Sequence, residues 1–382
     1  MKRGNSRRVG AFDLVACVLA ERLKQCEASD GLRAMLTCGC AARWEDVVAR
    51  ARGELVLPAF GAAMRDLGLL GSLEPRARAL LAIAHAANIE RNSKVREQLA
   101  ALARVLNRAG IEPVLLKGAI RLIDGLYPDS GWRMMRDLDI LVPEAAFLDA
   151  IRALSDAGYR LARPVEPNRK EASVRREGFS LPFEIHRELF VTARRQRLLR
   201  GSEVISGSRP AMIDGARIRL PSITHQLVHL IGHSQIGHRG HAYGRIMLRD
   251  RLEAAALLHW LSEGVEWEAV FKHFEAADYR RPLLVFLLSL KDGGFHSAVP
   301  IQGPVDALTA LQQRRIALQA RSVAMMRVSL YTVWYAVLFK MQIMELEAGW
   351  PKIIQTVRNF LLDRKERQRI AEMLVRGGPR PW

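Results

Sequence analysis

Over about 80 residues, short apolar runs alternate with helical ones, and no other feature of the 382-residue chain narrows its fold as much. Ile111–Leu116 (IEPVLL) reads as a strand, followed by Lys117-Gly118 and a helical run to about Leu126. Tyr127–Gly131 (YPDSG) is turn chemistry. Asp137–Val142 then reads as a strand, Glu144–Ala157 as a helix and Tyr159–Arg163 as another strand. A polar stretch, Glu166–Glu177, is expected to be a loop. It leads into Phe179–Leu189, which alternates like a strand, and Pro182 in that run predicts an edge or a bulge. Strands interleaved with helices on this scale indicate a small unit containing both.

The flanks differ in character. From residue 11 to about 109 apolar residues recur at three and four, with breaks at Gly31, Pro58, Gly68 to Gly71 and Pro75. Ser93–Ala109 predicts an amphipathic helix that stops at Gly110. Beyond residue 200 a short extended stretch, Ala216–Leu220, gives way to helical patterns nearly to the end.

Composition excludes several classes. With 49% hydrophobic and 26% charged residues the chain is neither disordered nor fibrous. Its four cysteines (Cys17, Cys26, Cys38, Cys40) lack the paired spacing of a zinc site and suit free thiols in a reducing cytosol. The start of the chain reads as an amphipathic helix rather than a signal peptide, because Asp13 interrupts its apolar run. Val328–Phe339 is too short, at twelve residues, to cross a bilayer, so a membrane partner is not expected. A net charge of +18 admits nucleotides or nucleic acid as partners, and equally a solvated arginine-rich surface.

The chemistry concentrates in Arg133–Val142 (RMMRDLDILV). On a strand, side chains two apart face one way, so Asp137 and Asp139 project together. Two carboxylates that close resist joint ionisation unless a cation lies between them, and a hard divalent ion is the natural partner. Exposed or structural charges are the alternative account. Upstream, Lys117-Gly118 joins a strand to a helix, which suits close backbone approach to phosphate, or is an ordinary turn with a surface lysine. Downstream, Glu184 and His186 share one strand face. Glu184 offers either a third carboxylate or a surface salt bridge.

In this order the elements resemble the DNA polymerase β-like nucleotidyltransferase superfamily, and more narrowly a bacterial group of uncharacterised nucleotidyltransferases. The resemblance runs from roughly Trp44 to about Leu258 and is most specific over Gly110 to Tyr159. It implies an α+β fold: a small mixed-sheet nucleotidyltransferase core (110–200) flanked by mostly helical regions (1–109 and 201–382). It further implies that Asp137, Asp139 and Glu184 bind Mg2+, or Mn2+ in its place, and serve catalysis. Lys117, Gly118 and Arg133 are then the nucleotide-binding residues, with His186 and Asp250 in support. The turn reads Lys-Gly where most of the superfamily has Gly-Ser, and the third acid is Glu rather than Asp.

Five histidines (His225, His229, His233, His238, His241) fall within seventeen residues. Zinc ligation, contact with substrate and structural packing are all open readings of them. The expectation is a cytoplasmic, magnesium-dependent enzyme that moves a nucleoside monophosphate from an NTP to an acceptor of unknown identity. A transferase acting on tRNA and a non-catalytic nucleotide-binding scaffold are the alternatives.

Overall fold

A computed structural model describes residues 10–24, 27–37, 42–166, 169–296 and 298–321. The apolar run Val328–Phe339 and Cys26, Cys38 and Cys40 lie outside these residues, whereas Cys17 is a free thiol. No helix among the described residues is long and apolar enough to cross a membrane.

Seven short strands build one mixed sheet: β1 (Val114–Leu115), β2 (Leu138–Leu141), β3 (Arg160–Leu161), β4 (Glu171–Arg175), β5 (Phe183–His186), β6 (Arg209–Ile213) and β7 (Ala216–Leu220). Their order is β3-β4-β5-β2-β1-β7-β6. β2 pairs parallel with β5 and β1 parallel with β7, and the other pairs are antiparallel. Helices surround this sheet, giving the α+β architecture expected from the sequence.

One face of the sheet is apolar for a simple reason: alternate residues of each strand point to it. Leu138 and Ile140 of β2, Ala172 and Val174 of β4, and Phe183 and Ile185 of β5 pack there. They meet Leu99, Leu102 and Leu106 of the helix Pro75–Arg108, and Phe147, Ile151 and Leu154 of the helix Phe147–Asp156. Each of the Val, Leu, Ile and Phe side chains among them contributes about 1.5–3 kcal/mol on burial. The opposite face carries Asp139, Glu184 and His186, and it looks toward the helices that follow residue 220.

Pro75 begins the 34-residue helix at its first turn, where a missing N–H costs nothing, and Gly110, at φ +75°, follows its end. The amphipathic run expected at Ser93–Ala109 is thus the last half of a longer helix.

Three local expectations are corrected. Glu171–Arg175, inside the expected loop, is a strand: Ala172 and Val174 supply the alternation, and pairing with β5 provides the backbone partners. β5 is not at an edge, because it starts after Pro182, whose carbonyl still accepts from Leu138 N at 3.0 Å. The expected helix after Gly118 is a 3-10 segment, Lys117–Leu122. The extended stretch expected at Ala216–Leu220 is β7, and with Arg209–Ile213 it forms a hairpin on the sheet through the turn at Asp214 and Gly215, both at positive φ.

Candidate active site on the polar face of the sheet

The in-register pairing of β2 with β5 sets Asp139 beside Glu184, and that of β4 with β5 sets Glu171 beside His186. Four polar side chains from three strands therefore share one face. One ligand atom each from Asp139, Glu184 and His186 lies within 4.8 Å of the other two. His186 Nε2 is 2.8 Å from Asp139 Oδ1 and 3.6 Å from Glu184 Oε2. Asp139 and His186 are sealed, while Glu184 keeps 32% of its side chain exposed and so forms the open edge.

Lys117 reaches the same cluster. Its backbone adopts φ +48°, unusual for a residue with a Cβ, and the next turn is 3-10. This bend turns the ammonium onto β2, with Nζ 2.6 Å from Asp139 Oδ1. Burial by itself would raise the Asp139 carboxyl, but the Lys117 ammonium and the His186 ring hold it well below the usual carboxylate range. Burial likewise opposes the Lys117 charge, and Asp139, Glu184 and Asp137 together keep its pKa above the ordinary value.

Asp137 lies one residue before β2 and outside the 4.8 Å group. Burial first, and the Asp139 charge second, push its pKa up. The second of these causes reflects two carboxylates placed close together, a repulsion that a cation between them relieves. Carboxylates and an imidazole gathered under such strain fit a divalent cation in donor type and in charge.

Gly118 owes its identity to packing. A Cβ there would stand 2.8 Å from Met135 Cγ, and Met135 is buried. Arg133 is also buried, and its Nε is 2.8 Å from Glu253 Oε2. Arg121 Nε binds the other oxygen of Glu253 at 3.0 Å and a further guanidinium nitrogen donates to Gln226 Oε1 at 2.9 Å. Arg121 also pairs with Asp124. The Glu253 carboxyl, which burial would raise, is drawn down to about 2 by Arg133 and Arg121.

The segment carrying Arg133 is fastened to the long helix by polar side chains. Asn88 donates to the Gly131 carbonyl at 2.8 Å, Asn92 to the Arg133 carbonyl at 2.8 Å, and Arg91 to the Met135 carbonyl at 2.7 Å. The approach is close enough that a Cβ on Gly131 would stand 2.6 Å from Ile89 and 2.7 Å from His85.

The histidine-rich stretch packs over this region. His225 and His229 belong to the helix Ile223–Gly232, and His233 begins a π-helical turn that ends at Gly237. Such turns recur at functional sites. The rings form a chain, with His229 and His233 5.8 Å apart and His233 and His238 4.2 Å apart. Burial first, and then the Lys117 charge, hold His229 and His233 well below the usual histidine range, so both rings are neutral at neutral pH. These histidines do not form a three-ligand group among the described residues. Asp250 braces the turn: its Oδ2 accepts from Ser234 at 2.8 Å, and its Oδ1 lies 3.0 Å from Arg249.

The structure thus unites Asp139, Glu184, His186 and Lys117, sets Asp137 at their margin, and places Arg133 and Asp250 in neighbouring ion pairs. Sequence reasoning did not single out Glu171 or Glu253. The Glu171-Ala-Ser-Val alternation is a strand signal obscured by its polar surroundings. Glu253 depends on contacts with residues 120 and 132 positions away, for which no local pattern exists.

A family model described as uncharacterised nucleotidyltransferase matches residues 41–292, well over half of the chain. The chain belongs to this nucleotidyltransferase family. The matched span contains all seven strands, the acidic cluster and the histidine-rich segment. No curated protein and no solved structure matches the chain.

Proposed function

We propose that the chain moves a nucleoside monophosphate from an NTP to an acceptor hydroxyl or phosphate, with release of pyrophosphate. The observation that carries this reading is the Asp139, Glu184 and His186 group on two in-register parallel strands, with Lys117 directed onto it, in a chain of a nucleotidyltransferase family. Asp137, Asp139 and Glu184 hold the divalent ion, magnesium or manganese, and His186 supports them. When bound, that ion offsets the negative charge of the triphosphate and of the departing pyrophosphate.

The chain's own groups do the rest. Lys117 exchanges its contact with Asp139 for the anionic nucleotide, and the Gly118 backbone lies at the same turn. Arg133, held by Glu253, keeps the segment behind that turn in place. Glu184, at the open edge, is placed to take the proton from the acceptor. Asp250 keeps Arg249 and the π-helical turn in place on the opposite side. The helices after residue 220 then close the acceptor side of the site.

Incubation of the purified chain with each α-labelled NTP, Mg2+ or Mn2+ and a cell extract of small-molecule acceptors tests the reading. Label is expected on an acceptor, and Asp139→Asn is expected to abolish it. The reading fails if no NTP binds with either ion and the Asp137→Ala, Asp139→Ala double variant leaves cellular function intact.

A further inference from the structure

His186 is more than a neighbour of the acids. Its ring is 1% exposed, it comes from the same strand as Glu184, and its Nε2 lies inside the group of potential ligand atoms. Its other nitrogen, Nδ1, has no hydrogen-bond partner among the described residues. That atom faces Glu171, whose Oε2 is 3.8 Å away and is paired with Lys170 Nζ at 2.9 Å. The pairing is built into the sheet, because Glu171 and His186 are register partners of β4 and β5.

A carboxylate behind the remote nitrogen of a histidine is the arrangement that fixes a ligating imidazole. Closing the 3.8 Å gap to Glu171 would place the hydrogen on Nδ1, orient the ring and free Nε2, here hydrogen-bonded to Asp139 Oδ1, to give its lone pair to a cation. Mg2+ demands oxygen donors and rigid octahedral geometry, whereas Mn2+ shares its preference for carboxylates but accepts an imidazole nitrogen more readily. We infer that His186 is itself a ligand of the divalent ion, that Glu171 is its positioning residue, and that the site therefore prefers Mn2+ to Mg2+.

The inference rests on the transferase reading only for the location of the site, and its test uses no nucleotide. The full chain is titrated with Mn2+ alone and followed by electron paramagnetic resonance. One Mn2+ per chain is expected, bound at least about tenfold more tightly than Mg2+ competes for it. Pulsed measurements on the wild-type complex are expected to show nitrogen-14 coupling from one imidazole, which His186→Gln removes. Glu171→Ala is expected to weaken Mn2+ about 10- to 100-fold, and Glu171→Gln, which keeps an acceptor oxygen, to restore part of the loss.

Bound Mn2+ without nitrogen coupling overturns the assignment of His186, and this result needs no variant to fold. Mg2+ competing equally overturns the preference, and unchanged affinity in a folded Glu171→Ala chain overturns the role of Glu171. Nitrogen-coupled Mn2+ in a chain that transfers no nucleotide to any acceptor would sink the transferase reading alone.

Discussion

Two buried ion clusters lie close together, and they are built on opposite plans. The cluster of Arg121, Arg133, Glu253 and Asp124 is charge-balanced, and every member has a side-chain exposure of 9% or less. Both oxygens of Glu253 are taken. The cluster of Asp139, Glu184, His186 and Glu171 is rich in acid, answered by Lys117 and Lys170, and it opens at Glu184. It also retains a buried polar atom, His186 Nδ1, without a hydrogen-bond partner among the described residues. A saturated network stiffens a fold, whereas an unsaturated one has capacity for a ligand. The sealed cluster reads as framework and the open one as site.

Substitutions should separate the two. Glu253→Gln leaves the buried Arg133 guanidinium without a carboxylate and Arg121 with Asp124 alone, and is expected to lower unfolding free energy by about 3–5 kcal/mol in denaturant titrations. Glu184→Gln should do the reverse. Its half-open position predicts a stability change within about 1 kcal/mol, while nucleotide transfer falls at least about 100-fold, equivalent to about 2.7 kcal/mol of barrier. If Glu184→Gln unfolds the chain and Glu253→Gln only slows it, the contrast is wrong.

Gly131→Ala probes the link between the clusters. The added methyl collides with Ile89 and His85, so the segment carrying Arg133 must lift from the long helix, at a cost of about 1–3 kcal/mol visible as a lower Tm. A retained Tm would show that those side chains yield freely.

The smallest effect concerns pH. His229 and His233 have folded pKa values held below the unfolded value, so below about pH 6.5 the unfolded chain binds more protons than the folded one. Their contribution to stability is complete above that pH and is lost as pH falls toward the folded values. Each adds a slope of up to about 1.4 kcal/mol per pH unit. Urea unfolding between pH 7 and 5 should show this slope, and His229→Gln should reduce it by one proton's worth. An unchanged slope would mean that the ring is not protonated on unfolding alone.

Legibility varied with the range of the interactions. Asp139 on β2 and Glu184-Ile-His186 on β5 were readable because strand alternation is local, whereas the strand start expected at Asp137 falls one residue short of β2. Pro182 suggested an edge, yet a proline just before a strand deprives no ladder of a donor. Glu171–Arg175 read as loop because charge dominates it, and only pairing with β5 makes it a strand. Gly118 suggested phosphate contact, and the packed structure shows the space beside it filled by Met135.

By itself, the sequence determined the alternation in β2, β5 and β7, the last half of the helix that ends at Arg108, and that Glu184 and His186 would share a strand face. Those properties depend on neighbours one to four positions away. The tertiary structure alone decided that Lys117 closes on Asp139, that Glu171 stands behind His186, and that Arg133 is held by Glu253. The reason is physical: these contacts join atoms separated by 15 to 120 residues of chain, and only a formed sheet with helices packed on both faces brings them within reach.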